Sequence, residues 1–151
     1  LRSTTWSPSL VFRSTTGATR EIVFASNRLQ DSLGGDKGTY KSIRTRTGLF
    51  RHEGVARSAS LTRLTGAGAD SLTSATQPVS ANETAVYFLS DQSGVRNLYR
   101  LDSERGTARA LTSLPYGIRQ YDLNPANGGF VYSSVQDGDL YVGYRARLDL
   151  N

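Results

Sequence analysis

The stretch that decides the fold is Val86-Tyr87-Phe88-Leu89-Ser90-Asp91-Gln92-Ser93-Gly94-Val95-Arg96-Asn97-Leu98-Tyr99-Arg100-Leu101-Asp102, with Arg109-Ala110-Leu111-Thr112 after a polar turn. Apolar residues come in short runs of β-branched, aromatic and Leu side chains. The runs are broken at Ser90-Asp91-Gln92-Ser93-Gly94 and again at Ser103-Glu104-Arg105-Gly106. Short runs separated by turn residues predict antiparallel strands joined by hairpins.

Comparing the chain with itself extends this pattern in both directions. Ile22-Val23-Phe24-Ala25-Ser26, Val86-Tyr87-Phe88-Leu89-Ser90 and Phe130-Val131-Tyr132-Ser133-Ser134 align. Each is followed by a polar turn and a second strand with an aromatic after Leu: Leu49-Phe50-Arg51, Leu98-Tyr99-Arg100 and Leu140-Tyr141-Val142. Leu64-Thr65 and Leu111-Thr112 close the first two copies, whereas the third has no such pair. Pro78 with Asn82 and Pro125 with Asn127 precede the first strand of the last two copies. The units span about 20–65, 76–112 and 118–145, and the first carries an insertion at 29–47. The spacing of the last two copies matches the ~40–45 residues of a four-stranded propeller blade. The fold class predicted is all-β: about three antiparallel four-stranded blade repeats of a partial β-propeller, in one domain or fragment over 1–151.

In chain order the expected strands are Leu10 to Arg13, Glu21 to Arg28 running into a turn, Leu49 to Arg51, Ala59 to Thr65, Val86 to Ser90, and the run around Leu98-Tyr99-Arg100. Further strands follow at Ile118 to Leu123, Phe130 to Ser134 and Leu140 to Arg145. Residues 66–77 read as a loop, and no segment has helical periodicity over 11 or more residues. One such sheet has faces it cannot bury alone, and packing neighbours around an axis hides them. Phe24, Phe50, Tyr87, Phe88, Tyr99, Phe130, Tyr132 and Tyr141 are therefore expected between sheets.

The pattern resembles the blade repeat of TolB-like β-propellers, most closely at Ser90-Asp91-Gln92-Ser93-Gly94-Val95-Arg96-Asn97-Leu98-Tyr99-Arg100-Leu101-Asp102 with Arg109-Ala110-Leu111-Thr112. The likeness covers roughly 20–145 and is specific over about 76–112. It implies a propeller of six or seven blades, as in bacterial periplasmic proteins and in the substrate-gating domains of prolyl-oligopeptidase-like and tricorn-like peptidases. Three blades do not close such a ring. The expectation is that the remainder belongs to a longer parent or to a partner; the chain contains no Met, which fits a processed, trimmed or partial chain.

The chemistry-bearing residues are few. His52 is the single His and reads as a surface loop residue after a strand; a His-based triad needs a Ser and a carboxylate beside it. No Gly-x-Ser-x-Gly elbow occurs. There is no Cys, which removes disulfides, thiolate metal sites and a Cys nucleophile. Asp31 and Asp36 around Gly34-Gly35, and Asp137-Gly138-Asp139, form acidic turns without the alternating pattern of a Ca²⁺ loop. Gly66-Ala67-Gly68 lacks the context of a phosphate-binding loop, and Asn82-Glu83-Thr84 is a formal sequon in a predicted turn. The reading is therefore non-catalytic, without cofactor, metal or small-molecule substrate.

The net charge is +5, from sixteen Arg and two Lys against thirteen acidic residues. Residues 1–64 hold eleven basic and four acidic groups, +7, and residues 65–151 hold seven and nine, −2. The basic groups are scattered, which argues against a nucleic-acid stripe. No run approaches the ~18 apolar residues of a membrane span.

The insertion concentrates charge: Lys37, Lys41, Arg44, Arg46 and Arg51, with Tyr40 among them, are the predicted partner-binding residues. Such a stretch suits an acidic protein surface or lipid headgroups. The predicted function is a binding or scaffold module that contacts protein partners in a larger bacterial envelope assembly, periplasmic or otherwise extracytoplasmic, with membrane association of that assembly left open. The alternative is an accessory gating propeller of a serine peptidase whose catalytic domain lies elsewhere. A lectin-like propeller would need aromatics in equivalent loops, and only Tyr40 and Tyr116 are candidates, in non-equivalent places.

Overall fold

A computed structural model describes residues 5–12, 20–27, 46–54, 60–65, 73–80 and 84–150. They form eleven strands and, among the described residues, no helix. Sheet I holds β1 (Thr5–Phe12), β2 (Arg20–Ser26), β3 (Gly48–Glu53) and β4 (Ser60–Arg63). Sheet II holds β5 (Ala75–Ser80), β6 (Ala85–Ser90), β7 (Asn97–Asp102) and β8 (Thr107–Ala110). Sheet III holds β9 (Ile118–Asn124), β10 (Gly129–Gln136) and β11 (Asp139–Arg145), three strands among the described residues where the repeat predicts four. Neighbours in each sheet are consecutive in sequence and antiparallel, so each is a simple meander.

Sheet II lies between the other two, and β6 shows why its sequence is apolar throughout. All six of its residues are buried. Successive side chains of a strand point to opposite faces. Val86 and Phe88, with Tyr99 and Leu101 from β7, pack against Val23, Ala25 and Leu49 of sheet I. Ala85, Tyr87, Leu89 and Leu98 pack the other way, against Ile118, Leu123 and Phe130 of sheet III.

The Leu-Thr pairs have the same job in both sheets that contain them. Leu64 N and Leu111 N each donate to the carbonyl of the second residue of the third strand, Leu49 O and Leu98 O, at 2.8 Å. Thr65 Oγ1 and Thr112 Oγ1 then accept from Leu49 N and Leu98 N at 2.9 Å. Thr112 also donates to Asn97 Oδ1 at 2.8 Å, and the same oxygen accepts from Leu114 N at 2.8 Å. The junctions repeat too: Ala75 N donates to Thr47 O and Ile118 N to Arg96 O, both at 2.8 Å, so the first residue of each new sheet is tied to the one before it. Thr112→Val should leave a buried amide without its acceptor and cost about 1–3 kcal/mol, read as a lowered urea midpoint. An unchanged midpoint would mean that this lock carries no stability.

Several strands depart from the sequence expectation. β1 begins at Thr5 rather than Leu10, and Pro8 sits where its pairing with β2 shifts between Trp6 and Ser9. Residues 13–19, which hold the expected end of that strand and the loop after it, lie outside the described residues. Ala75 to Gln77 belong to β5, not to a loop. Pro78 has no N–H for the ladder, Gln77 takes a positive φ of 52°, and the pairing shifts between Thr76 and Val79. Pro8 and Pro78 are thus the equivalent pair, whereas Pro125 lies in the β9–β10 turn. β3 continues to Glu53, which puts His52 inside a strand, opposite Ile22 and Leu61.

The third copy pairs two residues out of step. Leu49 and Leu98 face Ala25 and Leu89, but Leu140 faces Val135. The cause is the tight turn at Asp137-Gly138, where positive φ values of 51° and 93° fit a two-residue type I′ hairpin and prolong the ladder toward the tip. The position of Phe50 and Tyr99, opposite Phe24 and Phe88, therefore falls on Gly143, opposite Tyr132. The Tyr132 ring lies over the space a Cβ at Gly143 would take. Tyr141 pairs with Ser134 and is exposed, against the expectation that it packs between sheets. Of the other seven aromatics, Phe50, Tyr87, Phe88, Tyr99 and Phe130 are buried, and Phe24 and Tyr132 half-buried.

Candidate interaction site

Sheet III has two unlike faces. Its inner face carries Ile118, Tyr121, Leu123, Phe130, Tyr132 and Ser134 toward sheet II. Here Phe130 stacks with Tyr132 at 5.2 Å between ring centroids and meets Tyr121 at 6.2 Å. Tyr121 closes the gap left by the irregularity in β5: its hydroxyl lies 2.8 Å from Gln77 O and 3.0 Å from Tyr87 O and donates to this pair of carbonyls. Gln77 Nε2 in turn donates to Arg119 O at 2.9 Å. Burial, reinforced by the nearby Asp122 charge, pushes the Tyr121 phenol above its ordinary value. The stabilising effect of the neutral phenol is therefore complete below the ordinary phenol pKa of about 10 and declines as pH rises beyond it. Tyr121→Phe should cost about 1–3 kcal/mol in denaturant unfolding, because two inter-sheet carbonyls lose their donor; a cost near zero would mean that water replaces it.

The outer face of sheet III is apolar and uncovered. Pairing places Val131 beside Tyr144, Ser133 beside Val142 and Val135 beside Leu140 on one side of the sheet. Leu140, Val142 and Tyr144 are 65%, 73% and 71% exposed, and Val131 and Val135 are exposed as well. Gln120 and Asp122 of β9 lie on the same face and give it a polar margin. Scattered surface hydrophobics are ordinary, but five on adjacent strands of one face make a contiguous patch of the sort that marks an interface.

Register shows what this patch corresponds to. Val142 faces Ser133 as Leu98 faces Leu89 and Leu49 faces Ala25. Leu49 and Leu98 are fully buried because the next sheet covers them; Val142 occupies the same place with no sheet beyond it among the described residues.

The residues singled out in the basic insertion fall in three places. Lys37, Tyr40, Lys41 and Arg44 lie outside the described residues, as do Asp31 and Asp36. Arg46 is exposed, one residue before the Thr47 carbonyl that anchors Ala75. Arg51 is in β3, with its Nε paired to Glu21 and its Nη1 3.6 Å from Glu53 Oε1. Glu21 is only 2% exposed, so this is a buried ion pair on the face of sheet I that meets sheet II.

Among the described residues no group of three or more His, Asp or Glu side chains is placed to hold a metal ion. The cavity lined by Leu64, Thr65, Ala75, Phe88, Leu101 and Ala108 measures about 120 Å³, below the few hundred Å³ of a drug-sized ligand site. No helix among the described residues is long and apolar enough to cross a membrane. A scan of protein-family models and a search of curated proteins find no match to this chain.

Proposed function

We propose that the chain is a non-catalytic binding and scaffold module, built as part of a TolB-like β-propeller and working within a larger bacterial envelope assembly. The observation that carries this reading is the uncovered apolar outer face of sheet III, centred on Val142. The propeller arrangement draws support from three meanders stacked face to face in chain order, each joined to the last by the same backbone bond. The first strands also gather at one side, with Gln77 of β5 bonded to Arg119 and Tyr121 of β9. The resemblance of 76–112 to the TolB-like repeat supports the envelope setting, and the lack of Cys fits it.

Two contact regions are proposed, the outer face of sheet III and, apart from it, the cationic stretch of sequence at 29–47 that includes Arg46. Proteins bind through a desolvated apolar centre and a polar rim, and the centre holds most of the affinity. Val142→Glu should therefore abolish migration of the protein in a high-mass assembly on native gels of source-cell extracts. Arg44→Glu with Arg46→Glu should weaken that association and leave the fold intact. Unaltered migration of the Val142 variant would reject the sheet III face, and unaltered migration of the double variant would reject the insertion.

A further inference from the structure

We propose that the cleft between sheets II and III holds an oxyanion site, built on Arg100, Arg109 and Arg145 and suited to a phosphate-class dianion. The site lies on the inner side of sheet III, apart from the outer face centred on Val142, and does not rest on the reading of that face.

Register makes sheet I the template for sheet II. Val23, Arg51 and Thr62 form one cross-strand row of sheet I, and Tyr87, Arg100 and Arg109 form the equivalent row of sheet II. In sheet I the cation has its counter-ions built in: Arg51 Nε pairs with Glu21, and Arg51 Nη1 lies 3.6 Å from Glu53 Oε1. In sheet II the place of Glu21 falls to Ala85 and that of Glu53 to Asp102. Asp102 shares the face of Arg100 but serves its own turn. Its Oδ1 accepts from Glu104 N at 3.1 Å and from Arg105 N at 3.0 Å, and its Oδ2 lies 3.9 Å from Arg105 Nε. Arg100 is half-buried, and its Nε is shielded from water with no acceptor. A buried donor left in that state is costly, more so on a charged group. An oxyanion in the place of the missing carboxylate supplies the acceptor.

The surroundings add positive charge where the contact of sheets I and II is apolar. Arg109 stands directly opposite Arg100, where sheet I has Thr62, and like charges so placed repel. Tyr99 and Leu101 of sheet II pack against Val23, in the row of Arg51. Their register equivalents in sheet III are Gly143 and Arg145. Gly143 takes away a covering side chain, and the Tyr132 hydroxyl lies over it as a neutral donor. Arg145 brings a third guanidinium to the face turned toward sheet II. Arg109 and Arg145 are exposed, which gives an anion a way in. Among the described residues none of the three Arg is in an ion pair. Three positive charges less the one of Asp102 leave +2, the complement of a dianion, and planar guanidinium forks match phosphate oxygens.

Inorganic phosphate is the probe, titrated calorimetrically into the purified chain in chloride buffer at constant ionic strength, with circular dichroism on every variant. Saturable binding of one phosphate per chain is expected. Arg100→Gln and Arg145→Gln should each weaken it by at least about tenfold. Arg119→Gln, at an exposed position outside the cleft, should leave it unchanged. Ala85→Glu puts a carboxylate where Glu21 stands in sheet I and should abolish phosphate binding by occupying Arg100 itself. If Ala85→Glu does not fold, the two Arg variants decide alone. Absence of phosphate binding would overturn the site, as would binding that survives both Arg100→Gln and Arg145→Gln. Equal weakening by Arg119→Gln would mean diffuse attraction to a basic chain and would overturn it as well. None of these results bears on the Val142-dependent assembly, which stands or falls on its own test.

Discussion

Phe130→Ala is expected to be among the most damaging single changes in the chain, lowering stability by about 3–5 kcal/mol. Phe130 has no exposed surface and sits where sheet III meets sheet II, flanked by the Tyr121 and Tyr132 rings and packed with Tyr87, Leu89 and Leu123. Removing its ring leaves a cavity that two β-sheets, fixed by their ladders, cannot collapse to fill. The loss also removes the centroid contacts at 5.2 Å and 6.2 Å, each worth about 0.5–1.5 kcal/mol beyond area burial. Because a whole domain is stable by only about 5–15 kcal/mol, the variant should stand near the edge of folding at ambient temperature. Urea titration followed by tryptophan fluorescence and circular dichroism would read the change. Val131→Ala, one residue along the strand and on the open face, is the internal comparison and should cost well under half as much. Equal losses at the two positions would contradict the assignment of inner and outer faces.

Arg51→Ala should cost about 3–5 kcal/mol for a different reason. The substitution takes the Arg51 guanidinium away from the Glu21 carboxylate, which is 2% exposed in a poorly solvated interface. Breaking one side of a buried pair is more costly than replacing both, since an uncompensated charge remains. Glu21→Gln with Arg51→Met should therefore recover a large part of the stability lost in Arg51→Ala alone. Arg46→Ala, at an exposed position, should stay within about 0.5 kcal/mol of the parent. Thermal and urea unfolding of the four proteins would separate the outcomes. If Arg51→Ala were as mild as Arg46→Ala, Arg51 would be a surface cation after all, available to a partner.

The strands β6 and β7 of sheet II are legible because each of their signals agrees with the others. β6 is apolar on both faces because a sheet lies on each side, and its turns carry Asp, Ser and Gly. β5 was not legible. Gln77-Pro78 looks like a break, and only the geometry reveals a strand that tolerates proline at an irregularity in its pairing. The third copy was placed correctly as strands but matched two residues out of register, since Leu-Tyr recurs in sequence while the Asp137-Gly138 turn moves the ladder. Spacing alone does not show how far a hairpin zips toward its tip.

The apolar face of sheet III was in view in the sequence as the alternation of Leu140, Val142 and Tyr144. Alternation looks the same whether the next layer is present or absent, so its exposure needed the fold. The same limit applies to Arg51, which reads as one more cation of the insertion. Glu21 is thirty positions earlier in the chain, and only the β2–β3 pairing brings the two together.

Strand β11 has a further property that follows from its place at the margin of sheet III. It is seven residues long and has no fourth strand alongside it among the described residues, unlike β3 and β7, which are flanked by β4 and β8. A long edge with Leu140, Tyr141 and Val142 in succession is a template for adding strands from other molecules. Its solubility at high concentration thus depends on whatever normally lies along that border, and a lysine introduced at Tyr141 would be the simplest guard against fibrous growth.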